Sequence, residues 1–417
     1  MKSNDLLGIK YLKNDFKERE DCLFTHSYFL NGIKEELEMW NYKRYKHPRI
    51  NKIKREAFYN TLKLGSKIYH SRKNMKKLLW IGPIFSRYND LFMNLPYNSV
   101  ISEINPSLNS LHQLIFTPNL SLYPLYSFRP DLFSGMLTNN EDLLQRGLDK
   151  IKNTFKDINP DVIVLESDHI PVNRAITLAA REVGIPTVEI QHGIYMSDFV
   201  PTGREVDYVF VWGEHFKNLY LKNGIKKPDQ IKILGYPFQF KKYGSNNRER
   251  KLIIYLGQSY ENYNKDLIVN KIETIKNLQE MCNKLNFDFV YRPHPSEDLN
   301  LLKSEVNDIN LTSPGETLQK TFENGDIFIA FNSTALVEAN LYSKLSIQLK
   351  NYDVPTDDLE KLGACSKSVE TLEELEKYLK HIKDGELSSF YHPVKESYIK
   401  IPRDLERKFC ELIKEIL

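Results

Sequence analysis

Short unbroken apolar runs recur along this chain from residue 78 onward. Each is closed by a polar or glycine-containing cluster and followed by a stretch of helical length. The first set of runs is Leu78-Leu79-Trp80-Ile81-Gly82, Asp161-Val162-Ile163-Val164-Leu165-Glu166, Pro186-Thr187-Val188-Glu189-Ile190, Asp207 to Trp212 and Ile231 to Gly235. Between them the pattern predicts helices over 141–155, over 172–183 with Gly184 as the stop, and over 214–223. After a polar, basic stretch from Gln239 to Lys251 the pattern restarts with Leu252-Ile253-Ile254-Tyr255-Leu256. A long helix over 265–285 follows, then strands Phe287 to Tyr291 and Ile327 to Phe331. Helices over 335–342 and 371–382 and a last one over 402–417 complete the reading. Apolar runs that do not alternate belong to parallel strands covered on both faces. Strands of this length separated by helices predict an α/β fold.

Two sets of runs imply two domains. The sequence divides into a mostly helical N-terminal extension at 1–77, a first α/β domain at 78–245, a second at 246–385 and a terminal segment at 386–417. The loop Gly244-Ser245-Asn246-Asn247 marks the central boundary. Residues 92–140, rich in Asn, Pro and Ser, give no clear element. A length of 417 residues is itself too much for one ordinary core.

Composition narrows the setting. The formal charge is +3, close to neutral. Four cysteines, Cys22, Cys282, Cys365 and Cys410, are scattered without a C-x-x-C pair, which points to a reducing compartment. The first residues lack the apolar stretch of a signal peptide, and no apolar run is long enough to span a bilayer. A cytoplasmic protein is expected, with peripheral contact to the inner face of a membrane as its closest approach to lipid. From Lys43 to Lys77 there are thirteen Lys or Arg against one acid, Glu56. Such a stretch suits anionic lipid headgroups or an acidic glycan, and equally a solvated helix face. Aromatic residues interleave with these charges, yet no nucleic-acid-binding motif accompanies them, so no nucleic-acid partner is expected.

Candidate chemistry lies at the strand ends, where open α/β sheets bind ligands. In the first half these residues are Glu166, Asp168, His169, Gln191, His192 and Gly193; in the second they are Gly257, Gln258, Ser259, Arg292, His294, Ser333 and Thr334. His294 stands between Pro293 and Pro295, which restrict the backbone and present the imidazole to a phosphate oxygen. Ser333-Thr334 opens a helix, where backbone N–H groups and hydroxyls together suit an anion; the same residues also serve as ordinary caps. Glu338, one turn along, is placed for a ribose diol. Arg292, Gln258 and Ser259 complete the nucleotide and phosphate set. His192 is a candidate general base near neutral pH, with Asp168 and Glu166 as rivals. There is no phosphate loop, no Gly-x-Gly-x-x-Gly, no nucleophile elbow, no H-E-x-x-H or Cys/His cluster and no Asp-x-Asp. No cofactor is expected, and the chemistry is read as metal-independent.

The order Gln191-His192-Gly193, Trp212-Gly213, Gly235-Tyr236-Pro237, Arg292-Pro293-His294-Pro295 and Ser333-Thr334-x-x-x-Glu338-Ala339 resembles bacterial GT-B glycosyltransferases of capsule and lipopolysaccharide synthesis. Within that group it is most similar to the sialyl-, polysialyl- and Kdo-transferases with His-Pro and Ser/Thr motifs. It is also similar to the polyol-phosphate transferases of teichoic acid synthesis, whose His-Gly follows Trp where this chain has Gln191. The acidic base motif of the sialyltransferases has no counterpart here; Glu166-Ser167-Asp168 stands where it would fall. The resemblance covers about residues 160–350. It implies two Rossmann-like domains facing an interdomain cleft, a nucleotide site in the second, and a C-terminal helix crossing back to the first. His294, Ser333 and Thr334 match the motifs that contact donor phosphate. The expected activity is transfer of a sugar from a nucleotide-sugar, CMP-linked by preference, to a surface polysaccharide or glycolipid. Rival expectations are transfer of a polyol phosphate from a CDP-polyol, a UDP-sugar 2-epimerase, and a non-catalytic glycan-binding scaffold.

Overall fold

A computed structural model describes residues 75–417, apart from 83–87, 89–90, 92–94, 103–119, 124–127, 130, 133–134, 136–139, 169–170, 198–199, 201, 239, 241, 243–247, 259–265, 296, 298, 307 and 353–355. The expected N-terminal helices and most of the basic stretch lie outside the described residues. The described chain forms two compact units. Unit 1 takes the chain up to His192, Asp198–Phe238 and Ile401–Leu417; unit 2 takes Gly193–Ser197 and Gln239–Lys400.

Unit 1 is built on seven parallel strands. They are β1 (Lys77–Ile81), β2 (Asn98–Ser102), β3 (Leu120–Leu122), β4 (Val162–Leu165), β5 (Thr187–Ile190), β6 (Tyr208–Val211) and β7 (Ile231–Ile233), in the order β3-β2-β1-β4-β5-β6-β7. This is the doubly wound order, with its reversal of direction between β1 and β4. The expected strands are present with ends shifted by a residue or two. β2 and β3 are additional, short and drawn from the stretch that gave no clear signal. Helices α1 (Glu141–Ile158), α2 (Pro171–Glu182) and α3 (Glu214–Lys222) make the crossovers. α1 starts where the Asn140 side chain accepts the Leu143 N–H at 3.0 Å and stops at Asn159, whose φ of 50° ends the helix.

Unit 2 holds five parallel strands: β8 (Leu252–Leu256), β9 (Asp288–Arg292), β10 (Ile327–Ala330), β11 (Leu345–Leu349) and β12 (Lys367–Val369), in the order β12-β11-β10-β8-β9. The reversal here lies between β8 and β10, as in flavodoxin-like sheets. The long α4 (Asp266–Leu285), the short α5 (Leu299–Glu305) and α6 (Leu318–Asn324), and α7 (Thr334–Leu341) connect β8 to β11. α8 (Leu359–Leu362), α9 (Leu372–Asp384) and α10 (Leu387–Phe390) complete the unit. Tyr291 in β9 also forms a single parallel bridge to Leu311. All four residues of β10 and the apolar residues of β8 are buried, as both-face coverage demands.

Two boundaries differ from the sequence reading. The passage into unit 2 falls at Gln239, ahead of the Gly-Ser-Asn-Asn loop. Residues 386–400, grouped in sequence with the last helix, stay with unit 2: Asn340 Nδ2 donates to the His392 carbonyl at 2.9 Å, and the Lys395 N–H to the Gly363 carbonyl at 2.8 Å.

The last helix, α11 (Leu405–Ile416), belongs to unit 1. Asp404 caps it by accepting the Arg407 N–H at 2.9 Å. Phe409, Leu412 and Ile413, at helical spacing, are buried in the first core. Phe409 stacks on Trp80 with ring centroids 5.4 Å apart and meets Phe210 edge-on at 6.0 Å. Phe409→Ala is expected to destabilise unit 1 by about 3–5 kcal/mol, the cost of a large buried void. The measurement is chemical denaturation followed by Trp fluorescence, and a loss below about 1 kcal/mol would contradict the packing described.

Candidate functional site

In unit 2 the carboxyl ends of β9, β8 and β10 lie side by side, because that is the strand order. Gly257 and Gln258 follow β8, His294 follows β9, and Asn332, Ser333 and Thr334 follow β10. The switch point between β8 and β10 therefore carries the start of α7. Gln258 spans it: the Asn332 N–H donates to Gln258 Oε1 at 3.2 Å, and Gln258 Nε2 donates to the Asn332 carbonyl. The Gln258 amide, a candidate phosphate ligand by sequence, fixes the backbone that leads into α7. Ser333 caps the helix, its Oγ accepting the Ala335 N–H at 3.2 Å. Thr334 Oγ1 accepts the Ile194 N–H at 3.1 Å within the same unit. A Cβ at Gly193 would come 3.1 Å from that hydroxyl, so the glycine keeps the approach open. Ser333, Thr334 and Glu338 are all partly accessible.

Arg292 and His294 have different surroundings although two residues apart. The Arg292 guanidinium donates to Thr321 Oγ1 at 2.5 Å and to the Glu316 carbonyl at 3.0 Å. It ties β9 to the start of α6, and burial holds its pKa below the usual guanidinium value. His294 is exposed. Ser259 lies outside the described residues, as does His169.

In unit 1, His192 and Glu166 share a carboxyl edge. His192 Nδ1 lies 2.7 Å from the Glu166 carbonyl oxygen. A carbonyl only accepts, so Nδ1 carries the proton, and in the neutral ring the lone pair is on Nε2. Glu166 follows β4 beside the β1–β4 switch point, where its Oε2 would be 3.6 Å from a Cβ on Gly82. Gln191, just before His192, is buried and clasps Trp212: its Oε1 accepts the Trp212 N–H at 2.8 Å, and its carbonyl accepts the indole N–H at 2.9 Å. The pairing explains why Gln and Trp-Gly stand at neighbouring strand ends, and periodicity alone gave no sign of it.

Asp168 is fully buried. Its carboxylate accepts the Thr202 hydroxyl at 3.0 Å and the backbone N–H groups of Gly203 at 2.7 Å, Glu205 at 2.6 Å and Val206 at 3.1 Å. It is the anchor of the 202–206 loop. Glu189, inside β5 and without a mark in the sequence pattern, is its neighbour, 1% exposed. Glu189 Oε2 accepts the Asp168 N–H at 2.9 Å, the Gly203 N–H at 3.1 Å and the Thr202 hydroxyl at 2.6 Å. Burial first, and the Asp168 charge second, push the Glu189 pKa well above the ordinary carboxyl value.

No protein-family model matches the chain, and no curated protein matches it significantly. Solved structures do share its fold. A putative UDP-N-acetylglucosamine 2-epimerase from Listeria monocytogenes is 14% identical with a TM-score of 0.56, over 82% of this chain and 96% of that one. The UDP-GlcNAc 2-epimerase of Neisseria meningitidis, bound to UDP-GlcNAc, is 16% identical with a TM-score of 0.53, over 82% and 99%. That of Methanocaldococcus jannaschii is 17% identical with a TM-score of 0.53, over 82% and 100%. At these identities the likeness is one of fold: two Rossmann-like units of the GT-B class. Among the described residues no helix is long and apolar enough to cross a membrane.

The Glu189 environment predicts a pH effect. A carboxyl whose folded pKa is raised contributes stability below its unfolded value, near 4.5, and loses it as pH climbs toward the folded pKa. Gln in its place keeps a carbonyl for the three donors and cannot ionise. Denaturation across pH 5 to 9 should show Glu189→Gln gaining on the parent as pH rises, despite the Lys226 ammonium nearby. A gap that stays constant or narrows would show that Glu189 is charged in the native protein.

Proposed function

We propose that this protein is a metal-independent glycosyltransferase. It moves a sugar from a nucleotide-sugar donor, CMP-linked and of Kdo or sialic-acid type, to a bacterial surface polysaccharide or glycolipid. The observation that carries this reading is the placement of Ser333, Thr334 and the first turn of α7 on the switch point of the second sheet, with His294 on the same edge. A helix N-terminus supplies N–H donors and a favourable dipole to a phosphate, and a histidine adds a further hydrogen-bond donor. In this proposal Ser333, Thr334 and His294 hold the donor phosphate, and Glu338 receives the ribose hydroxyls. His192 takes the proton from the acceptor hydroxyl on Nε2 while the Glu166 carbonyl holds Nδ1–H. The acceptor oxygen forms the new bond to the anomeric carbon. The bond from that carbon to the donor oxygen breaks, and its electron pair stays on the nucleotide phosphate, where α7 stabilises it. We assign Asp168 a structural role, since both its oxygens are committed to the 202–206 loop. The Lys43–Lys77 stretch is proposed as the contact with an anionic membrane surface.

A second reading is a UDP-sugar 2-epimerase, favoured by the fold shared with enzymes of that name. It would prefer UDP and need no acceptor. Calorimetric titration with CMP, CDP and UDP separates the readings. Preference for CMP supports the transferase, preference for CDP a polyol-phosphate transferase and preference for UDP the epimerase. Binding of none would leave a glycan-binding scaffold. His294→Ala should abolish nucleotide binding with the fold intact. His192→Ala should lower turnover by about 10²–10⁴ with nucleotide affinity unchanged. Full turnover in either variant would count against the assignment.

A further inference from the structure

We propose that Glu297 is the positioning residue for His294, acting with Lys271 and Tyr291, and so sets how tightly unit 2 holds a nucleotide phosphate. This rests on the donor-site reading above. His294 lies between two prolines, which lack an N–H, so it carries the only backbone donor of the 293–295 tripeptide. That N–H goes to Glu297 Oε2 at 3.1 Å, and the Glu297 N–H returns to the His294 carbonyl at 3.0 Å. Both backbone polar groups of His294 are thus held by one residue.

Glu297 is itself held from beneath. The Tyr291 hydroxyl lies 2.8 Å and 2.9 Å from its two oxygens. Lys271 Nζ, from α4, is 3.3 Å from Oε1, and the two side chains are only 5% and 1% exposed. The fold makes room for this arrangement. A Cβ on Gly257, at the end of β8, would fall 2.3 Å from the Tyr291 oxygen, so only glycine there lets the hydroxyl reach the carboxylate.

A loop N–H beside an exposed side chain needs no such partner, because water would satisfy it. A buried ion pair is also a poor source of stability, since desolvation offsets most of its attraction. What it supplies is a fixed direction. With the residues around His294 already restricted by proline, the carboxylate fixes the backbone from which the imidazole projects before any ligand arrives. Preorganisation of this kind raises affinity by lowering the ordering cost.

The test is calorimetry with CMP and with cytidine, which lacks the phosphate, alongside thermal unfolding. In Lys271→Met/Glu297→Leu the buried charges leave together. CMP affinity should fall about tenfold, or about 1.4 kcal/mol, with cytidine unchanged. Lys271→Met/Glu297→Gln keeps an oxygen for the His294 N–H and should restore CMP binding to within about threefold of the parent. Should the leucine variant fail to fold, Tyr291→Phe decides. It leaves the ion pair and loosens the carboxylate, and is expected to weaken CMP about threefold with cytidine unchanged. Unaltered CMP affinity in the folded variants, or equal weakening of cytidine, would overturn the role of Glu297 alone. A parent protein that binds none of CMP, CDP and UDP would overturn the donor-site reading and this inference with it.

Discussion

A parallel sheet covered on both faces leaves polar side chains almost nowhere to go except the strand ends, and this constraint organises both units. The strands themselves are filled with Ile, Val, Leu and aromatic residues: all four residues of β4 and of β10 are buried. Crossover helices close the faces. Most of the candidate polar groups then lie at the carboxyl edge, where the chain must turn and where helix N-termini point, while Glu189 stays inside β5. In unit 2 the order β9-β8-β10 brings together residues nearly forty positions apart, His294 and Ser333, on one edge.

Buried and half-buried polar groups at these edges hold the loops. Gln258 clasps Asn332, Gln191 clasps Trp212, Asp168 gathers four donors, and Glu297 gathers His294, Tyr291 and Lys271. Each is a side chain that completes hydrogen bonds the backbone cannot make for itself once the strand has ended. The same physics separates Arg292 from His294. The guanidinium, with its several N–H groups, is drawn to the Glu316 carbonyl and Thr321 hydroxyl, whereas the imidazole two residues later is left accessible.

Apolar runs made the elements legible. The strands from Leu78, Val162, Thr187, Tyr208, Leu252, Asp288 and Ile327 and the long helices lie within a few residues of where periodicity puts them, because burial on both faces demands unbroken apolar stretches. β2, β3 and β12 were not legible. Strands of three to five residues at a sheet edge, as β3 and β12 are, or one strand in from it, as β2 is, need little apolar sequence, and neighbours select them. The boundary at Gln239 was also hidden, since a composition shift marks a loop and not the contacts on either side of it.

The sequence by itself determined the fold class and the set of polar residues at strand ends, since both follow from local pattern and from where a buried strand must stop. Only the tertiary structure decided what those residues touch. It made Asp168 a loop anchor and Gln258 a backbone clamp, put a proton on His192 Nδ1, and drew the overlooked Glu189 and Glu297 into buried networks. Hydrogen-bond partners depend on strand order and on close approaches such as Gly257 to Tyr291, and no window of neighbouring residues contains that information.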